Sequence, residues 1–157
     1  MNKIKFAQRS SVEFVEEGNI LAPKFNSEDV IPVVLTETKS GLVLMLGYMN
    51  KEALEKTILT KEAHYWSRSR KALWKKGESS GMVHKIDEIL IDDDQDSIWL
   101  KVTIGGLGAS CHVGYKSCFY RSVDSIEKDE VILNFTESEK VFDPEEVYPG
   151  IENPTKL

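Results

Sequence analysis

A chain of 157 residues with 41% hydrophobic and 29% charged side chains has the size and make-up of one ordinary globular domain. Such a domain buries roughly 70% of its unfolded surface, so neither a disulfide nor a structural metal is needed for folding. A net charge of −6 argues against general binding to nucleic acid or to an anionic membrane. No apolar run approaches the roughly 20 residues that span a bilayer.

Met1 to Gln8 carry Lys3 and Lys5 with no apolar run behind them, so no secretory leader is expected and a cytoplasmic location is. The two cysteines, Cys111 and Cys118, are then expected to be reduced. A metal pair, a catalytic thiol and two ordinary buried residues all remain open for them.

In chain order, residues 1–29 are mixed and polar, and Pro23 with Asn26-Ser27 suggests an extended lead-in. Val30 to Glu37 and Leu42 to Met49 read as strands around a turn at Lys39-Ser40-Gly41. Asn50 is placed to cap a short helix from Lys51 to Leu59, with Leu54 and Ile58 on one face and a favourable Glu52/Lys56 pair. Ala63 to Ser67 reads as a further short strand, and residues 75–81, with Gly77 and Gly81, as a polar loop. Val83 to Ile91 and Ile98 to Ile104 are the clearest strands. Gly105, Gly106 and Gly108 then break the pattern ahead of the cysteine segment, and Val131 to Phe135 is a last strand. Residues 122–157 form an acidic extension beyond a core of 30–121, within a single domain. Mostly antiparallel strands with one or two short helices give an α+β class.

Charge is unevenly spread. His64 to Lys85 hold Arg68, Arg70, Lys71, Lys75, Lys76 and Lys85 against the single acid Glu78; Asp87, Glu88, Asp92, Asp93, Asp94 and Asp96 follow. A basic block beside an acidic one suits a phosphate-bearing ligand and a cation site, although two solvated faces of opposite sign are the more common case for any charge run.

Three segments could carry chemistry. Cys111 and Cys118, with six residues between them, offer thiolates of the kind zinc prefers, provided the chain folds back; His112 beside them could move a proton. Asp92, Asp94 and Asp96 would share one face of a strand and suit a hard cation. The run is not an EF-hand, since Ser97 stands at its glycine position and Thr103 at its glutamate position. Ser67, Arg68, Ser69 and Arg70 present hydroxyls and guanidinium forks suited to phosphate, and Trp66 or Trp74 could stack on a base or pack in the core.

In this order the segments resemble the phosphoribosyl-AMP cyclohydrolase family of histidine biosynthesis. The matching stretches are Met45 to Asn50, Tyr65 to Arg70, Leu73 to Gly81, Asp92 to Asp96 and Cys111 to Arg121, about half the chain. The resemblance implies an intertwined α+β homodimer, with zinc held at the seam by cysteines and Mg2+ on the aspartates. Cys111 and Cys118 would be zinc ligands and Asp92, Asp94 and Asp96 the Mg2+ carboxylates. Trp66 to Arg70, Trp74, Lys76, Gly77, Glu78, Ser80 and His84 would line the nucleotide pocket, with His112 as the proton carrier. The sequence departs from the family pattern at Asp93, where cysteine is usual, and at Met82 and His84, where asparagine and glutamine are common. Asp93 of the partner subunit, or His84, would then complete the metal site, or a harder divalent metal would fill it. The implied reaction is hydrolytic opening of the N1–C6 bond of a ribosylated adenine by a metal-activated water. A non-catalytic nucleotide- or metal-binding paralogue is the main rival. A purine deaminase fits less well, because the His-x-Glu and Pro-Cys-x-x-Cys pair is absent.

Overall fold

The structure, a computed structural model, describes residues 3–157. Its centre is a four-stranded sheet in the order β2–β1–β6–β5, built from β1 (Ile31–Glu37), β2 (Val43–Met49), β5 (His84–Ile91) and β6 (Ile98–Ile104). Alternation sets the register. Ile31, Val33 and Leu35 of β1 and Ile98, Leu100 and Val102 of β6 all point into the core. The β1–β2 and β5–β6 pairs are antiparallel, whereas β1 and β6 run parallel. That parallel pair needs a crossover, which the intervening segments supply.

The crossover starts with α2 (Lys51–Thr60), capped by the Asn50 side chain accepting from the Ala53 amide at 2.9 Å. Ala53 and Leu54 enter the core, and the expected Glu52–Lys56 ion pair closes at 3.2 Å. A hairpin of β3 (His64–Ser67) and β4 (Ala72–Lys75) follows. Tyr65 is fully buried there, and a Cβ on Gly47 would stand 3.1 Å from its ring; glycine at 47 lets the hairpin close on the sheet.

Strand β4, which the sequence reading left unassigned, and three further segments differ from the sequence expectation. The lead-in contains α1 (Val12–Glu17), with Ser11 as N-cap, and it is tied down. Buried Gln95 accepts from the Ala22 amide at 2.7 Å and donates to the Val15 carbonyl at 2.9 Å. The acidic extension begins as a hairpin of β7 (Arg121–Glu127) and β8 (Glu130–Phe135). Sequence reading passes over β7 because a register shift between Val123 and Ser125 breaks the period-two alternation. Beyond it, α3 (Pro144–Val147) starts where Asp143 accepts from Glu145 and Pro144 takes the first turn. Phe142 packs with Met82 and Ala109 in a second small core. No helix among the described residues is long and apolar enough to cross a membrane.

Candidate functional site

A cavity of about 1100 Å3 lies between the β3–β4 hairpin, the cysteine loop and the C-terminal segment. Trp66, Ser67, Arg68, Ser69 and Arg70 line one wall, and Trp74, Lys76, Gly77, Glu78 and Ser80 continue it. Arg68 stacks over the Tyr48 ring at 3.8 Å, and Arg70 donates to the Ser67 hydroxyl at 3.2 Å. These groups are exposed or half-exposed, so the mouth is cationic and rich in donors.

Lys76 reaches the other end. It is nearly buried, donates to the Ser110 carbonyl at 2.6 Å, and burial pulls its pKa down against the opposing effect of the two cysteines. The cysteine loop folds back on itself. Ser110 N–H donates to Lys116 O at 2.9 Å, Cys111 N–H to Tyr115 O at 3.1 Å and Gly114 N–H to Cys111 O at 3.0 Å. Cys118 is pinned to the sheet through its amide, which donates to Leu44 O at 2.7 Å. The loop thereby brings the two thiols close enough for each to perturb the other's ionisation, with no disulfide between them. Cys111 is held below the ordinary thiol range by the Cys118 thiol, against burial, with help from the Val113 amide, Lys76 and the Tyr115 amide. Cys118 is pushed up by Cys111, burial and the Cys111 charge.

His112 also lines the cavity, and its Nε2 is buried with no hydrogen-bond partner among the described residues. Burial and the Lys76 charge lower its pKa, while Asn153 beside it favours the charged form. Two neighbouring thiols form a donor pair that fits a borderline-soft dication such as Zn2+, and the orphaned imidazole nitrogen of His112 beside them is placed to take a proton.

His84 is set apart from both roles. It lies outside the cavity wall, fully buried, with Nδ1 on the Tyr65 hydroxyl at 3.0 Å and Nε2 on the Ser110 hydroxyl at 2.8 Å. Burial, and then the charge of Lys76, drive its pKa down to about 3, so it is neutral. Both ring nitrogens are used, which leaves none for a metal; its work is to brace Ser110 next to Cys111.

The acidic run sits at the opposite end of β5. Eight residues at about 3.3 Å each separate it from the cysteine loop by about 25 Å, too far to meet within one chain. Carboxylate oxygens of Asp92, Asp94 and Asp96 lie within 4.8 Å of one another, an arrangement able to hold a metal ion. Burial opposes charge on Asp92, yet hydrogen bonds from Ser97 and Asp96 outweigh it and lower its pKa. Asp96 is raised by its hydrogen bond with Asp92, by burial and by the Asp94 charge. Asp93 stands outside this convergence and is exposed.

Several cavity residues escape sequence reading. Tyr48 and Ser110 lie inside matching or adjacent segments but carry no separate signal, whereas Tyr148, Glu152 and Asn153 come from the tail. The Asp143-Pro144 pair was the one local cue that the tail begins with a capped helix instead of running free.

Fold and cavity together define a small α+β enzyme in which Cys118, with Cys111 buried behind it, and His112 face a phosphate-suited cationic mouth. A family model described as phosphoribosyl-AMP cyclohydrolase matches residues 45–120, which include both cysteines, the acidic run and the β3–β4 wall. A phosphoribosyl-AMP cyclohydrolase of Rhodopseudomonas palustris (strain HaA2) is 50% identical over 142 residues, covering 90% of this chain and 95% of the relative. One from Nitrobacter winogradskyi is 49% identical over 140 residues, covering 89% and 94%. The chain belongs to the phosphoribosyl-AMP cyclohydrolase family.

Proposed function

We propose that this protein hydrolyses phosphoribosyl-AMP, opening the N1–C6 bond of its adenine ring in the third step of histidine biosynthesis. The observation that carries the reading is the single cavity in which Cys118 and His112 face the Ser67–Arg70 wall, on a chain half identical to named cyclohydrolases.

Arg68 and Arg70, with Ser67 and Ser69, bind phosphate through charge-assisted hydrogen bonds. Trp66 and Trp74 offer aromatic faces for the ring, and Lys76 with Gly77, Glu78 and Ser80 closes that side. Cys111 and Cys118 would hold a zinc ion, which supplies the acidity that makes hydroxide available at neutral pH. His112, kept neutral by burial and Lys76, accepts the water's proton at Nε2 and returns it to N1 as the N1–C6 bond breaks. That role is typically worth 10²–10⁴-fold in rate, to order of magnitude. Asp92, Asp94 and Asp96 would hold Mg2+.

The working unit in this reading is a homodimer in the cytoplasm, with Asp93 of the partner subunit completing the zinc site. Support comes from the β7–β8 hairpin. Val123, Ile126, Val131, Leu133 and Phe135 share one face of it through the pairs Val123↔Leu133, Ile126↔Val131 and Arg121↔Phe135. They are left open, Val123 and Ile126 each 74% exposed. A hollow of about 300 Å3 on the sheet, walled by Pro32, Val34, Leu46 and Trp99, borders Asp92. The hairpin begins three residues after Cys118. Docking it in a second copy's hollow would bring the cysteine loop of one subunit to the acidic turn of the other.

The test is incubation of purified, zinc-supplemented protein with phosphoribosyl-AMP. The reading expects a product heavier by one water and no ammonia. Release of ammonia would indicate a deaminase, and unchanged substrate a non-catalytic paralogue.

A further inference from the structure

We propose that Glu137 is the positioning residue that fixes Cys118 for metal binding, an inference that rests on the zinc reading above. Glu137 lies beyond β8, outside the segment matched by the family model, and half-buried. Its two carboxylate oxygens accept separate backbone hydrogen bonds: Oε1 from the Lys116 amide at 2.8 Å and Oε2 from the Ser117 amide at 2.9 Å. These are the two peptide units immediately before Cys118.

The opposite side of the same stretch is held by β2. Cys118 N–H donates to Leu44 O at 2.7 Å, and the Ser117 hydroxyl donates to Val43 O at 2.7 Å. Lys116 adds a 2.9 Å ion pair to Glu37. The loop before Cys118 is therefore gripped from two directions, and Glu137 is the side chain that grips it from the C-terminal side. Among the described residues both amides are otherwise without an acceptor, so removing the carboxylate leaves two part-buried donors to find water and frees the loop to move. A thiolate ligand whose backbone wanders binds metal less tightly, because the ordering cost is then met on binding. Groups that orient metal ligands from outside the coordination sphere typically contribute about 10–100-fold in metal affinity.

Glutamate suits the task for a geometric reason. Here each carboxylate oxygen takes one of the two adjacent amides, whereas glutamine keeps one of those acceptors and turns an N–H toward the second amide. The ranking of variants follows: Glu above Gln above Ala.

The experiment uses full-length protein loaded with zinc, as wild type, Glu137→Ala, Glu137→Gln, Glu139→Ala and Cys118→Ser. Transfer of zinc to a chromophoric chelator gives relative affinity, and thermal unfolding of the metal-free forms reports the fold. Cys118→Ser should lose zinc during purification. Glu137→Ala should release it 10–100-fold more readily at nearly unchanged metal-free melting temperature, Glu137→Gln should fall between, and Glu139→Ala, an exposed neighbour, should match wild type. Glu137→Ala or, should it not fold, Glu137→Gln retaining zinc like wild type while Cys118→Ser has lost it overturns the positioning role alone. Zinc retained equally by Cys118→Ser overturns the underlying metal site as well.

Discussion

Lowering the pH should destabilise this protein through His84, and the effect can be sized. The imidazole is fully buried and already bonded on both sides, and burial with the nearby Lys76 charge takes its pKa from 6.5 to about 3. Between those values the unfolded chain binds a proton that the folded one refuses, so stability rises with pH there and falls as acid is added. The contribution is complete above pH 6.5 and is lost progressively toward pH 3. A drop from 6.5 to about 3 corresponds to about 5 kcal/mol in all, or about 1.4 kcal/mol per pH unit across the window. His84→Gln keeps a side chain able to donate and accept but cannot titrate. Urea unfolding of metal-free wild type and variant at pH 7, 6, 5 and 4 isolates the term, since carboxylate titration is common to both. Wild type should lose about 3 kcal/mol more than the variant between pH 6.5 and 4. Parallel decline of the two proteins would refute the argument that His84 stays neutral in the fold.

Further outcomes follow from the same geometry. Gly114 has φ +110°, and a Cβ there would meet the Phe142 carbonyl oxygen at 2.4 Å, so Gly114→Ala should cost more than about 2 kcal/mol and release the tail, visible as a lower melting temperature and faster proteolysis after residue 140. Arg68→Ala removes a guanidinium stacked on Tyr48 and should raise KM about tenfold or more, with Arg68→Lys failing to restore it. Val123→Asp combined with Leu133→Asp places charge on the open hairpin face; sedimentation should then find the variant monomeric and the wild type dimeric.

Much of the framework was legible in the amino-acid order because local rules decided it. Strand β6 stands where alternation puts it, and Asn50 caps α2 as its side chain allows. The phosphate-suited wall was readable too, since Trp66 to Arg70 lie together on one hairpin. What could not be read depends on distant partners. Gln95 looks like one more polar residue in an acidic run, yet it is buried and anchors the lead-in through bonds to Ala22 and Val15. His84 reads in sequence as a side chain that could ligate metal, and only the Tyr65 and Ser110 hydroxyls on either side show it is engaged elsewhere. The tail reads as an acidic, proline-bearing end, but Phe142 and Gly114 lock it against the cysteine loop and carry Asn153 to His112. The parallel β1–β6 pair likewise follows from a crossover of some sixty residues that no local pattern encodes.

The most direct test of the account strips the protein of metal and follows opening of phosphoribosyl-AMP as single divalent ions are returned. Activity should be absent without metal, return with Zn2+, and fail to return in Cys111→Ser and Cys118→Ser. Undiminished turnover by either serine variant, or by the metal-free enzyme, would contradict the claim that two adjoining sulfurs hold the ion on which catalysis depends.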